Sequence, residues 1–469
     1  MSQQLRNGFS PFVQNLLDDL NWVIGPIFLV GGGLRDSLRH QYTAHELDIM
    51  VTKPLDQCNQ QLLEAGYHAV IKGHRPNTLI LPLKRKDPPS TLHIGCCCGG
   101  EAKNRNIEDD LRHRDITINA MALPWPDGEL VDPFGGQQDL QENIIRLVNG
   151  EQTIQEDPIR ALRFFRFTIQ LAGEPAPKDL ELAGNASLYR ADPERLRGET
   201  DRIFSLPLRD ERSKKLIFEL FKTPLGKDLL PEFSPLKAFP ERADHLQTVW
   251  ENSLLTMLQL STPTAKEEVS LLDLRWAALL HQLGKPVAAR WDSEGRVCGY
   301  GTHRDHSVRR CLRVLQRLAF TKRRQRRIIG MIQYMEIPFP PTEKMLKRIL
   351  QQRVPAEGVF RLLRAKMEAS ANSDQERSEV HEEFQKVIRR CQHLRDRMYT
   401  LHPEELALSG GDLIDLARMD PGPWVGELQG HLLRWISEDP KRNQPDPLTD
   451  EVRNWLIHQN DLCQLNNGI

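Results

Sequence analysis

Short apolar runs separated by polar turns make up the first third of the chain, and apolar residues at helical spacing make up most of the remainder. Ile27-Phe28-Leu29-Val30 reads as a buried strand stopped by Gly31, Gly32 and Gly33, and Leu47-Asp48-Ile49-Met50-Val51 reads as a second strand. Between them, Leu34 to Arg39 predicts a helix. Thr78-Leu79-Ile80-Leu81 and Thr91-Leu92-His93-Ile94 predict further strands, followed by a loop over 95–106 rich in Gly, Asn and charge. From about residue 153 the period changes: Ile159, Leu162 and Phe165 recur as they would on one face of a helix, and strand signals become scarce. Proline clusters at Pro338-Phe339-Pro340-Pro341 and over 440–447 mark breaks, and no repeat of 20–50 residues is visible. The pattern predicts an α+β fold, with a mixed head followed by helices.

Composition narrows the class. A chain of 469 residues has ample material for two to four domains, and a mean hydropathy of −0.50 with no long unbroken apolar stretch excludes a membrane-spanning reading. Lys and Arg number 63 against 64 Asp and Glu, so attraction to nucleic acid must come from a local basic face. The opening MSQQLRNGFSPFVQ lacks the basic-then-apolar pattern of a signal peptide, which leads us to expect a cytoplasmic protein. Eight cysteines, with Cys96, Cys97 and Cys98 consecutive, show neither disulfide-framework nor zinc-knuckle spacing and read as reduced thiols.

The chemistry begins at Leu29-Val30-Gly31-Gly32-Gly33-Leu34-Arg35-Asp36, followed ten residues later by Glu46-Leu47-Asp48. Glycines between a strand and a helix let backbone N–H groups approach a phosphate chain, and the helix N-terminus adds a favourable partial charge. Carboxylates at i and i+2 on a strand point to the same side, which suits joint ligation of Mg²⁺ beside a triphosphate. Alone, each piece is an ordinary turn or a solvated strand edge. Three further stretches change that: Glu108-Asp109-Asp110-Leu111-Arg112-His113-Arg114-Asp115-Ile116-Thr117-Ile118-Asn119, then Val131-Asp132-Pro133-Phe134-Gly135-Gly136, then Glu156-Asp157-Pro158-Ile159-Arg160-Ala161-Leu162-Arg163-Phe164-Phe165-Arg166-Phe167.

In order, spacing and content these motifs resemble the bacterial-type tRNA nucleotidyltransferases, or CCA-adding enzymes, whose head is shared with bacterial poly(A) polymerases. The resemblance is strong over about 1–205 and weaker over 240–330. It implies a nucleotidyltransferase head over 1–150, a helical neck with a base-selecting motif over 151–205, a helical body over 206–340 and a helical tail over 341–469. By the same resemblance Gly31 and Gly32 cradle a triphosphate, Arg35 and Asp36 brace that turn, and Glu46 and Asp48 are catalytic and hold Mg²⁺. Arg114 and Asp115 contact the ribose, Asp132, Gly135 and Gly136 form a flexible motif coupling head and neck, and Leu34, Asn119, Arg163 and Arg166 complete the nucleotide-binding set.

Asp157 and Arg160 are read as lying at i and i+3 on one helix face, where a carboxylate and a guanidinium together imitate a base-pairing partner for cytosine or adenine. The plain alternative is an ion pair opening a helix, with Pro158 in its first turn. Pro193-Glu194-Arg195-Leu196-Arg197-Gly198-Glu199 resembles the family's last neck motif, which braces the base-reading helix. Three positions depart from the family pattern. Glu46 stands where an aspartate is usual, His93 falls where a third acidic residue often lies, and His113 replaces an arginine. The loop from Gly95 to Asn106 is short, as in relatives that add only the two cytidines.

Asp244-His245, His281-Gln282 and Thr302-His303-Arg304-Asp305-His306 resemble the HD domain that follows the neck in some family members. Gln282 replaces the dyad's aspartate, so the expectation is a degenerate HD domain with weak or absent metal-dependent hydrolysis, His245, His281 and His303 being its remnants. Arg309, Arg313, Lys322, Arg323 and Arg326 concentrate positive charge on two helical stretches, either a solvated face or a surface for the phosphates of a tRNA acceptor arm. The expected activity is addition of C and A to the tRNA 3′ end from CTP and ATP, with CC-only addition, A-only addition, poly(A) synthesis and a catalytically weakened tRNA-binding protein as alternatives.

Overall fold

The structure, a computed structural model, describes residues 9–39, 46–72, 78–83, 90–97, 106–208, 210–241, 247–260, 270–350, 356–371, 373–397 and 403–466. The head opens with α1 (Pro11–Ile24), whose N-cap Ser10 accepts from the Val13 amide and which buries Val13, Leu16, Leu17, Leu20 and Ile24. It continues through β1 (Ile27–Val30), α2 (Gly31–Leu38), β2 (Glu46–Val51), α3 (Leu55–Glu64), β3 (Val70–Lys72), β4 (Thr78–Pro82) and β5 (Thr91–Cys96). Then come α4 (Ile107–Arg112), β6 (Ala122–Trp125) and α5 (Gly136–Glu142). The glycines that the sequence places in a turn are instead the first turn of α2, which starts directly on Val30.

The head strands form one six-stranded sheet in the order β3-β4-β5-β2-β1-β6. β2 and β5 are parallel, and the other neighbours are antiparallel. Alternation along the strands sorts the side chains. Ile27, Leu29, Leu47, Ile49, Val51, Leu79, Leu81, Leu92 and Ile94 join the residues of α1 and α3 in the head core. The intervening positions, Val30, Asp48 and His93, are aligned across β1, β2 and β5 on the other face.

The neck follows as α6 (Glu151–Glu156), α7 (Ile159–Gln170), α8 (Pro177–Gly184) and α9 (Pro193–Ser205). Ile159, Leu162, Phe164, Phe165 and Phe167 of α7 are buried. Beyond the six-stranded sheet the regular structure of the described chain is helical apart from two short two-stranded sheets, one joining 144–145 to 174–175 and the other 289–291 to 297–300. The fold is α+β, as the pattern of apolar positions predicts.

The chain divides into two compact units, Met1–Leu254 with Gln282–Gln325, and Leu255–His281 with Arg326–Ile469. Within the second, helices Gly410–Ala417, Pro423–Glu438 and Pro445–Asn466 share a core of Leu413, Leu428, Leu432, Ile436, Leu448 and Val452. No helix among the described residues is long and apolar enough to cross a membrane.

One glycine shows how closely the head is built. Asp132 accepts from the amides of Gly136 and Gln137 at 2.7 and 2.8 Å, capping α5. A Cβ on Gly136 would lie 2.3 Å from the Thr117 carbonyl oxygen and 2.9 Å from Met121 Cγ. Gly198 in α9 has open space around it. We therefore expect Gly136→Ala to destabilise the head by about 2 kcal/mol or more, read as a drop in the thermal unfolding midpoint, and Gly198→Ala to be neutral or mildly stabilising.

Candidate active site

A cleft of about 910 Å³ opens on the sheet face away from the head core, between the strand edges of the head and helix α7 of the neck. Its floor is the first turn of α2 (Gly31, Gly32, Gly33) with Arg35, Asp36, Glu46, Asp48 and His93, and its opposite wall is Asp157, Arg160, Arg163, Arg166, Phe167 and Gln170. Arg114, Asp115 and Asn119 line it from the segment after α4.

The floor follows from backbone geometry. Gly31 has φ of +67°, and a Cβ there would stand 3.0 Å from Asp48 Oδ2 and 3.6 Å from an Arg114 nitrogen, so only glycine keeps this turn against the carboxylate. Glu46 and Asp48, two apart on β2, both reach the cleft, while Leu47 between them is buried in the core. His93 is the parallel partner of Asp48, and its Nδ1 lies 3.4 Å from Asp48 Oδ1, where the sequence register anticipated it. One nucleotide-site candidate has its side chain turned away from the cleft. Leu34 is 1% exposed in the head core, because the fourth residue of α2 turns back onto the sheet.

Charge alternates from floor to wall. Arg35, itself buried, bonds Asp36 at 2.8 Å and Asn119 Oδ1 at 2.8 Å, and Asn119 donates to Asp115 Oδ1 at 3.4 Å. Asp115 also accepts from the Ile116 amide at 2.9 Å and pairs with Arg163 at 2.6 Å. Burial pushes the Asp115 carboxyl up, but Arg163, the Ile116 amide and Asn119 together outweigh it and hold the group below the ordinary carboxylate range. With its oxygens so engaged, Asp115 fixes Arg163. Arg114 is braced by Asp110 at 2.8 Å and stays part-exposed at the cleft. Arg166 bonds Glu199 of α9, which also takes Arg202 at 3.0 Å, and the Arg166 guanidinium lies 3.9 Å from the Phe167 ring centroid.

Arg160, Arg163, Arg166 and Gln170 follow helical spacing along α7, which puts them on one face while Ile159, Leu162 and Phe165 pack inward. Asp157 does not belong to that helix. It has φ −151° and ψ 103° at the junction of α6 and α7, because Pro158 caps α7 and disfavours helical geometry in the residue before it. The shared-face reading of Asp157 and Arg160 is corrected accordingly, although both still line the cleft. Asp157 pairs with Arg195 at 2.5 Å, and Arg160 with Glu156 at 2.9 Å and the carbonyls of Thr153 and His113 at 3.1 and 2.6 Å. Arg195, Glu156, Phe167 and Gln170 were not singled out from sequence. The first three stand inside quoted motifs, and Gln170 lies ten residues beyond Arg160.

The remaining candidates among the described residues lie outside the cleft. Asp244 and His245 fall outside the described residues. Gln282 is buried and donates to Glu241 at 3.1 Å and Asn252 at 3.0 Å, while Lys285 binds the other Glu241 oxygen at 2.6 Å. An ammonium thus satisfies Glu241. His281 is buried with Nδ1 2.7 Å from the Ala278 carbonyl, and His303 is buried with Nδ1 3.4 Å from Ser307 Oγ. Among the described residues no group of three or more His, Cys, Asp or Glu is placed to hold a metal ion. Arg309, Arg313, Lys322, Arg323 and Arg326 are exposed, whereas Arg317 and Arg324 are tied to Glu232 and Asp201 at 2.7 and 2.6 Å.

Residues 27–146 match the family model of the poly A polymerase head domain. The chain is 30% identical over 332 residues to the A-adding tRNA nucleotidyltransferase of Deinococcus radiodurans, a match covering 69% of this chain and 74% of that protein. It is 31% identical over 278 residues to the multifunctional CCA protein of Acinetobacter baylyi, covering 56% of this chain and 63% of that one. In fold it resembles the Thermotoga maritima CCA-adding enzyme solved with tRNA, at a TM-score of 0.55 and 22% identity, covering 97% of this chain and 98% of that chain.

The Asp115–Arg163 pair links head and neck and is open to test. Asp115→Asn leaves the Arg163 charge without its partner and is expected to cost about 2–3 kcal/mol, less than a fully buried pair because Arg163 is partly exposed. A carboxyl held low in the folded state contributes above its unfolded value of about 4 and loses that contribution as pH falls through the folded value. The gap in thermal midpoint between wild type and variant should therefore stay level at neutral and mildly acidic pH and close only below about pH 4.

Proposed function

The chain belongs to the bacterial-type tRNA nucleotidyltransferases, enzymes of the nucleotidyltransferase class, and we propose that it adds cytidine and adenosine from CTP and ATP to the 3′ end of tRNA without a nucleic-acid template. The observation that carries this reading is the single cleft in which the α2 glycine turn and two carboxylates face an arginine-lined neck helix. The RNA 3′-hydroxyl attacks the α-phosphate, a phosphodiester forms, and pyrophosphate leaves. The amides in the first turn of α2 lack helical acceptors and are free to hold phosphate oxygens, with the helix dipole behind them. In this reading Arg114, braced by Asp110, meets the ribose, and Asp115 and Asn119 keep Arg163 and Arg35 toward the nucleotide. Asp157 and Arg160 offer an acceptor and a donor to the base edge, held by Arg195 and Glu156.

Divalent metal ions serve this family generally, and we take the ion here to be Mg²⁺, held by Glu46 and Asp48. Two carboxylates lining one cleft, with room for water and phosphate oxygens, suit a hard cation that keeps part of its hydration. Held there, such an ion would supply charge neutralisation for the leaving pyrophosphate and would make the 3′-hydroxyl more acidic. Exposed Arg309 and Arg313 on helix Arg304–Arg317, and Lys322, Arg323 and Arg326 on helix Lys322–Ile332, are the proposed contacts for tRNA phosphates. A cytoplasmic setting belongs to the same proposal.

A second reading is addition of the terminal A alone, favoured by the Deinococcus relative. Supplying tRNA ending at the discriminator base, at C or at CC, with CTP and ATP singly and together, and sizing the products separates the two. Extension by three nucleotides with both substrates supports C and A addition, while extension of the CC end only supports the A-adding reading. No extension of any end overturns both. Asp48→Asn should lower incorporation about a thousandfold or more, since several kcal/mol of charge stabilisation are lost. Arg160→Ala should shift the CTP over UTP preference about tenfold while altering turnover less.

A further inference from the structure

His113 follows α4 as its C-cap, and its titratable ring couples the head to the base-selecting segment of the neck. Its Nδ1 lies 3.1 Å from both carboxylate oxygens of Glu156, and its backbone carbonyl accepts from Arg160 Nη2 at 2.6 Å. Glu156 in turn accepts from Arg160 Nη1 at 2.9 Å. His113, Glu156 and Arg160 thus form a closed ring of contacts, and Arg160 Nη1 also donates to the Thr153 carbonyl at 3.1 Å. Arg160 is thereby oriented by one group whose charge depends on pH.

Resting on the reading that Asp157 and Arg160 face the incoming base, we propose that His113 is a positioning residue for base selection: its imidazolium clamps Glu156, Glu156 holds Arg160, and discrimination between bases follows the protonation of His113. The charged groups around the ring come from three elements: Glu156 from α6, Arg160 from α7, and Asp110 from α4, the last already paired with Arg114. Glu156 is held below the ordinary carboxylate range against the opposing effect of burial, by hydrogen bonds from His113 and Arg160, so it remains an anion throughout the imidazole range. A neutral imidazole still donates one hydrogen bond to Glu156, but a charge-assisted bond is roughly twice as strong. Raising pH therefore loosens the clamp without removing it, and the guanidinium gains freedom to meet a mismatched edge.

Binding gives the cleanest test, since it does not require turnover. Affinities of the full chain for CTP and UTP are measured at about pH 6 and about pH 8 for wild type, His113→Gln and Glu156→Gln. The triphosphate is common to both nucleotides and both bases are neutral in this range, so the ratio isolates the protein. In the wild type the CTP over UTP ratio should fall about three- to fivefold as pH rises, and in both variants it should be flat while CTP still binds. His113 is partly exposed, so the glutamine variant is expected to fold. A pH-independent ratio in the wild type, or the same slope in His113→Gln, overturns the proposal while leaving the base-reading assignment standing. If the wild type does not prefer CTP over UTP at either pH, the base-reading assignment fails and the proposal falls with it. A finding that the slope is present but no tRNA end is extended supports the clamp and overturns the proposed function alone.

Discussion

Strand pairing in the head places the two strand-borne carboxylates of the cleft by a rule of two. Leu47 and Ile49 of β2 are packed in the head core, so Glu46 and Asp48 necessarily emerge on the other face, next to Val30 and His93. Slipping β2 by one residue would bury two carboxylates and expose the aliphatic set, a cost of several kcal/mol for each charge. The hydrophobic core thus fixes where the carboxylates stand, and the glycine turn at Gly31 fits against Asp48 because nothing larger can.

Helix α7 and the junction before it are held by polar contacts that each satisfy a buried or half-buried charge. Asp115 holds Arg163, Glu199 holds Arg166, and Asp157 is held by Arg195, so α7 is pinned from the head on one side and from α9 on the other. Buried pairs of this kind add little net stability, because desolvation offsets most of the attraction. Their effect is geometric: removing either partner strands a charge, which makes alternative placements of α7 expensive. α9 is itself tied down, with Arg197 donating to the Ala319 carbonyl and Asp201 paired with Arg324.

The histidine-rich stretch of the helical body follows another logic. Where a metal-binding dyad would need a carboxylate, Gln282 spends its amide on Glu241 and Asn252, and Lys285 supplies the cation that Glu241 needs. Tyr300 lies against the same ammonium at 4.8 Å from the ring centroid, and burial together with Glu241 pushes its hydroxyl far up. The polar groups are mutually satisfied, as buried polar groups must be.

From residues 27 to 170 much of the arrangement was legible in the primary structure. Alternating apolar positions specified the strands, three-residue apolar steps specified α7, and the i, i+2 spacing of Glu46 and Asp48 set their common face, since all three are local periodicities of the backbone. Partners distant along the chain were not legible. The pairing of Glu156 with His113, of Asp157 with Arg195 and of Arg166 with Glu199 joins residues 33 to 43 positions apart, and local spacing carries no information about which charge meets which. Leu34 turned inward because the sheet decided its direction, which its own position in the sequence does not reveal, whereas Asp157 left the helix under a local rule, the restriction that Pro158 puts on the residue before it. Residue type and period determined which groups were available to the chemistry, and tertiary packing decided which of them share a cleft, because only folding brings unlike charges close enough to choose one another.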